Sequence, residues 1–118
     1  MVGTRGWTLP GSPLFTEERD RRVYQRECLR LGHALQSLEE KRSMPLVALI
    51  HFPPVMSGGE PTCFTRLLES RGCAICLYGH LHGKDRHSAF EGVLNGVHYR
   101  LVSCDHVGFS PVLVELEE

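Results

Sequence analysis

The 118-residue sequence predicts a single α/β domain, a mixed sheet with flanking helices, and three observations lead there. Apolar residues recur with a helical period in two stretches, and each stretch is followed by a short apolar run, giving the order helix, strand, helix, strand. The two runs, residues 46–50 and 73–78, are apolar on both faces, as parallel strands covered by other layers are. The C-terminal third then changes character around Asn95-Gly96, a favoured two-residue hairpin turn that adds an antiparallel pair. With 42% hydrophobic residues, the chain can bury one core and has little room for a second, so residues 1–118 read as one domain.

Taken in order, residues 1–15 are rich in Gly and Pro and carry Trp7, which reads as a short extended piece followed by a loop. Thr16 is placed to cap a helix whose first turn holds Glu17, Glu18 and Asp20, acids favoured by the helix dipole, and whose last turn holds Lys41 and Arg42. Tyr24, Cys28, Leu31, Leu35 and Leu38 fall on one face of that helix, with Arg22, Arg26, Arg30, Glu39 and Glu40 largely elsewhere. Strand 46–50 is stopped by Pro53-Pro54, and the Pro-Gly loop 52–61 leads to a helix from Thr62 with Phe64, Leu67 and Leu68 inward and Gly72 as terminator. Strand 73–78 follows directly. The hairpin joins 93–94 to 97–102, and residues 111–117 alternate as one more strand.

Thirteen Lys plus Arg against fourteen Asp plus Glu leave a net charge of −1, which offers no electrostatic footprint for nucleic acid or an anionic membrane. No apolar run approaches the roughly 20 residues that span a bilayer, and the opening residues lack the apolar core of a signal peptide. Five cysteines, Cys28, Cys63, Cys73, Cys76 and Cys104, are an odd number scattered through apolar runs; they read as reduced buried thiols and agree with a cytoplasmic location.

The chemistry concentrates in Gly79-His80-Leu81-His82, where the second strand breaks into a glycine-flanked loop. An extended backbone there points His80 and His82 the same way, into one cavity. His51 ends the first strand, so three imidazoles stand beyond the carboxyl ends of two neighbouring strands, where ligands of open α/β sheets collect. Any one histidine alone is better explained as a strand cap or a partner for a nearby carbonyl; the pattern of three is what suggests a metal site.

That pattern, with Ile50-His51-Phe52-Pro53-Pro54, Leu77-Tyr78-Gly79-His80-Leu81-His82-Gly83, Asn95-Gly96-Val97-His98-Tyr99 and Leu101-Val102-Ser103-Cys104-Asp105, resembles the second half of a bacterial predicted phosphohydrolase of the calcineurin-like metallophosphoesterase superfamily. The resemblance covers most of the chain. It implies the C-terminal half of an αββα sandwich and a phosphoester-hydrolysing centre with two divalent metal ions, drawn from manganese, iron, cobalt or zinc. It makes His51 and His80 ligands of one ion and His82 a ligand of the other, with a phosphoester small molecule as substrate and a metal-activated water as nucleophile.

The family's N-terminal signatures, Asp-x-His, Gly-Asp and Gly-Asn-His-Asp, do not precede His51. They supply the bridging aspartate and the proton donor, so no catalytic residue is assigned here beyond the metal ligands. The resemblance of Gly3-Thr4-Arg5-Gly6-Trp7 to sequence just beyond Gly-Asn-His-Asp leads to the expectation of a chain starting at an internal methionine, or a fragment, lacking the N-terminal half and inactive by itself. The alternative is a noncatalytic metal-binding or interaction remnant that folds with a partner, or with another copy, along an exposed sheet edge.

Other groupings carry less. Cys73-x-x-Cys76 with His80 and His82 has zinc-ligand residue types, but residues three apart on a strand face opposite sides, so both cysteines are expected in the core. Asp85, Asp105 and His106 are read as surface turn residues able to reach a substrate, and stay outside the metal assignment. Ser57-Gly58-Gly59 and Lys84-Asp85-Arg86-His87 read as solvated turns before they read as anion sites.

Overall fold

In the computed structural model, which describes residues 1–38 and 43–116, five strands form one sheet in the order β1-β2-β3-β5-β4. These are β1 (Val2–Thr4), β2 (Val47–Ile50), β3 (Ile75–Tyr78), β4 (Gly92–Leu94) and β5 (Val97–Leu101). Helix α1 (Glu17–Gln36) connects β1 to β2 and helix α2 (Cys63–Ser70) connects β2 to β3. Both crossovers step between adjacent parallel strands in the same direction, and right-handed connections then place both helices on one face. Strand β5 returns parallel to β3 and pairs antiparallel with β4, so the sheet is mixed. This is the expected α/β class. The opening extended piece is a true edge strand.

The helix-covered face holds Ala48, Ile50, Cys76, Tyr78, Tyr99 and Leu101, which pack with Leu31 and Leu35 of α1 and Phe64 and Leu68 of α2 into the core. Tyr24 ties the helices together: its ring stacks on Phe64 at 5.5 Å, and its hydroxyl accepts from the Cys63 N–H at 2.9 Å. The sequence expectation for α2 holds at both ends. Thr62 and Thr65 form a reciprocal capping box. At the other end the Cys73 N–H returns to the Leu68 carbonyl and the Gly72 N–H to that of Glu69, a Schellman closure in which Gly72 takes φ 62°. The hairpin also forms as read, with Asn95 and Gly96 at φ 48° and 86°, the left-handed pair its tight turn requires.

Three expectations for α1 are corrected. Helix α1 stops at Gln36 with Ser37 as its cap, short of the basic last turn expected at Lys41 and Arg42; those two, with Glu39 and Glu40, lie outside the described residues. The Thr16 side chain makes no capping bond; instead the Thr16 N–H donates to Asp20 Oδ2 at 2.8 Å. The buried stripe of α1 is Asp20, Tyr24, Glu27, Leu31 and Leu35, two of them acids. They are tolerated because each is satisfied: Asp20 also accepts from Trp7 Nε1 at 3.1 Å, and Glu27 from Thr4 Oγ1 at 3.0 Å and Arg30 at 2.9 Å, which fastens α1 to β1.

Residues 111–116 join no ladder, and Glu117 lies outside the described residues. Val112 and Val114 line a groove with Leu77 and Val102, so this segment runs beside the sheet without reaching an edge it could pair with. The cysteines are not all reduced: Cys28 on α1 and Cys63 at the start of α2 form a disulfide with Cα atoms 6.2 Å apart, brought together by the helix crossing. Cys73 and Cys76 are buried and outside the disulfide, as read, and Cys104 is outside it and exposed. The cytoplasmic reading, which leaned on reduced thiols, loses that support for the bonded pair. Among the described residues no helix is long and apolar enough to cross a membrane.

Candidate metal centre

Parallel register sets the site. Ile50, Tyr78 and Leu101 stand side by side across β2, β3 and β5, so the loops leaving those strands emerge at one level. His51 is the next residue after β2, His80 lies two beyond β3, and His82 and Asp105 lie four beyond β3 and β5. All three histidines are exposed at this end of the sheet.

The structure brings His51 and His80 together and turns His82 aside. His80 Nδ1 and His51 Nε2 are 3.3 Å apart, with ring planes at 78°. The backbone does not stay extended through the loop. His80 adopts φ 72°, and the Leu81 N–H bonds back to the Gly79 carbonyl at 2.8 Å around it. A left-handed conformation costs a residue with a Cβ about 1–3 kcal/mol, and such strained turns concentrate at functional sites. The turn breaks the two-residue alternation on which a shared cavity for His80 and His82 depended. His80 faces His51 and the Phe52 ring, whose centroid is 4.2 Å away, whereas His82 Nδ1 donates to Asp105 Oδ1 at 2.9 Å.

Asp105 is held from several sides. Its second oxygen, Oδ2, accepts the Gly83 N–H at 2.7 Å, and Arg86 donates to its backbone carbonyl at 3.0 Å. The Gly83 N–H and then His82 hold its carboxyl well below the usual range, at about 2. His80 is pushed the other way for an imidazole: partial burial lowers its pKa, and repulsion from His51 and His82 lowers it further. That keeps His80 neutral near pH 7, the form in which an imidazole ligates.

Among the described residues, the one group of three potential ligands whose donor atoms lie within 4.8 Å of one another is His82, Cys104 and Asp105. Asp105 was set aside as a turn residue and Cys104 as a buried thiol. The signal that finds them is the β3–β5 pairing, which sets residues equally far beyond the two strand ends side by side. Of the remaining candidates, His106 bonds Glu91 at 2.8 Å, and Asp85 is exposed in the short 3₁₀ turn Gly83–Ser88. Among the described residues neither Cys73 nor Cys76 joins a ligand group with His80 or His82, which counts against a zinc site built on Cys73-x-x-Cys76. The Ser57-Gly58-Gly59 loop closes on a Gly59 N–H to Met56 carbonyl bond, with Gly59 against Phe90 and Leu94, and so serves as a packed turn.

Beside His80 opens a pocket of about 190 Å³ whose walls include Trp7, Leu9, Phe52, Val55, Met56 and Leu81. Among the described residues no Asp, Glu, Lys or Arg lines it, so it suits an apolar or aromatic group next to the imidazoles.

No protein-family model matches the chain, and no curated protein or solved structure matches it either.

Proposed function

We propose that this chain contributes the histidine side of a metal-dependent phosphoesterase centre. The observation that carries the reading is the His51–His80 pair: two imidazole nitrogens facing each other at 3.3 Å beyond the strand ends, one on a strained left-handed turn. Nitrogens at that spacing fit a common ion with metal–nitrogen distances of about 2.0–2.1 Å. In this reading His51 and His80 would hold one divalent ion and His82 would contribute to a second, with manganese, iron, cobalt or zinc all compatible with imidazole and carboxylate donors. Bound there, the ions would supply charge stabilisation for phosphate oxygens and acidify a water. The chain's own residues do the rest. Gly83 and Arg86 hold Asp105 beside His82, and the apolar pocket beside His80 takes the organic part of a phosphoester small molecule.

Asp105 is the single carboxylate grouped with these imidazoles among the described residues, too little negative charge to hold two divalent ions close together. Residues 1–118 alone should therefore show negligible metal-dependent hydrolysis of an activated phosphodiester. A chain extended by a segment with Asp-x-His, Gly-Asp and Gly-Asn-His-Asp should gain it. In calorimetric titration with manganese or zinc, His80→Ala should remove binding at the histidine pair, whereas Cys73→Ala with Cys76→Ala should leave the stoichiometry intact. Binding untouched by His80→Ala would remove the reading.

A second reading, a noncatalytic metal-binding or interaction remnant, is favoured by the sheet face away from the helices, where Leu49 and Val93 are 44% and 65% exposed. A partner or a second copy would cover that face or add to the edges β1 and β4. Metal binding by the extended chain with no hydrolysis would select it.

A further inference from the structure

We infer that His82, Cys104 and Asp105 form a three-donor site for a single borderline transition-metal ion of the zinc(II) or cobalt(II) type. His82 belongs to the proposed hydrolytic centre, so the inference rests on that reading for the location of the site. The ligand set it names is separate. Nothing in the histidine pattern calls for a thiolate or for Asp105.

Three observations carry it. The first is the convergence of three different donors, an imidazole nitrogen, a thiol sulfur and a carboxylate oxygen, within 4.8 Å of one another. Nitrogen, sulfur and oxygen donors together suit zinc and its spectroscopic substitute cobalt better than the oxygen-seeking magnesium or calcium. Donors on an ion at about 2.0–2.3 Å stand roughly 3–4 Å from each other, so small side-chain rotations close the site.

The second is the support behind Asp105. Gly83 N–H binds Oδ2 at 2.7 Å, while Arg86 bonds the Asp105 carbonyl and its Nε stands 3.8 Å from Oδ2. One carboxylate oxygen is thereby committed to the protein, and Oδ1 is turned toward His82 at 2.9 Å. Outer partners of this kind orient metal ligands and tune their affinity.

The third is accessibility. His82 and Cys104 are exposed and Asp105 is half-buried, so an ion held by the three keeps a position open to water or to a substrate oxygen. On binding, the ion takes the place of the His82–Asp105 hydrogen bond and of the thiol proton, which leaves to solvent, so uptake weakens as pH falls.

Cobalt(II) titration of the 118-residue protein, followed in the near-ultraviolet, tests this directly, because a thiolate–cobalt bond gives a charge-transfer band that imidazole and carboxylate do not. The other cysteines outside the disulfide, Cys73 and Cys76, are 2% and 0% exposed, so a band reports Cys104. The expected result is a saturable band absent from Cys104→Ser, and weakened in Asp105→Asn by at least the roughly 10–100-fold in affinity that loss of even an outer partner costs. The band should persist in His51→Ala, which tests the histidine pair. Cobalt bound without a thiolate band, or with the same band in Cys104→Ser, overturns the three-donor site whatever the fate of the hydrolytic reading. Conversely, a Cys104-dependent band with no second ion sensitive to His51→Ala supports the site and counts against the hydrolytic reading. Circular dichroism of each exposed-site variant confirms that the fold is unchanged.

Discussion

On the helix-covered face of the sheet, Ala48, Ile50, Cys76, Tyr78, Tyr99 and Leu101 are at most 3% exposed; on the other, Leu49 and Val93 are 44% and 65% exposed. Both sets belong to one sheet, whose strands present alternate residues to opposite faces, so the difference comes from what covers each face. One face is closed by α1 and α2, their disulfide and the Tyr24 link; on the other, the C-terminal segment lines a groove with Leu77. Stability therefore resides on the helix side. The candidate centre hangs from the ends of β2, β3 and β5, held by a few polar contacts, so its residues are replaceable without unfolding the protein. That separation of stability from chemistry is what the following measurements can break or sharpen.

The largest effect belongs to the covered face. Phe64 is 0% exposed and stacked on Tyr24, and Phe64→Ala should cost about 3–5 kcal/mol in urea unfolding. A loss under 1 kcal/mol would mean that α2 does not seal the core as described.

An intermediate effect, confined to acid, belongs to Asp20. Bonds from Arg19, then from the Thr16 N–H, with Trp7 adding a third, hold its carboxyl down at about 2, against an ordinary 3.8. Because the folded form has the lower pKa, its contribution is complete above pH 3.8 and is lost as pH falls toward 2. Asp20→Asn should be less stable at neutral pH and should flatten the decline across that window, read from urea midpoints at successive pH values. An unchanged slope would place the acid sensitivity elsewhere, with Asp105, also at about 2, the next carboxyl to replace.

The smallest effect belongs to the open face. Leu49→Thr places a β-branched residue suited to a strand at a position nearly half exposed, and its unfolding free energy should stay within about 0.5 kcal/mol of the parent. A cost several times larger would show that this face is covered in solution, by another copy or by a partner, and a concentration-dependent midpoint would identify the former.

Much of the fold was legible without coordinates, because its signals act over a few residues. The Thr62 cap, the Gly72 terminator and the Asn95-Gly96 turn each work through bonds to near neighbours, and each forms where the sequence places it. Tyr24, Leu31 and Leu35 of α1 and Phe64 and Leu68 of α2 likewise face the core as their spacing predicts, and His51 and His80 lie beyond the strand ends. The sequence by itself therefore determined the order of helices and strands as far as the hairpin, the α/β class and the end of the sheet where imidazoles collect.

Tertiary structure decided the pairings. Asp105 meets His82 across 23 positions because β5 lies beside β3, and Cys28 meets Cys63 across 35 because α1 crosses α2. Burial of Asp20 and Glu27 depends on Trp7 and Thr4, donors from a strand and a loop that helical periodicity cannot see. The tail alternates like a strand yet joins no ladder, since a strand needs an edge as well as a pattern. The same holds for His80. Two histidines separated by one residue share a direction only on an extended backbone, and the left-handed turn that sends His80 to His51 and leaves His82 to Asp105 is set by the loop's surroundings. Local chemistry writes the elements; the register between distant elements chooses which side chains meet.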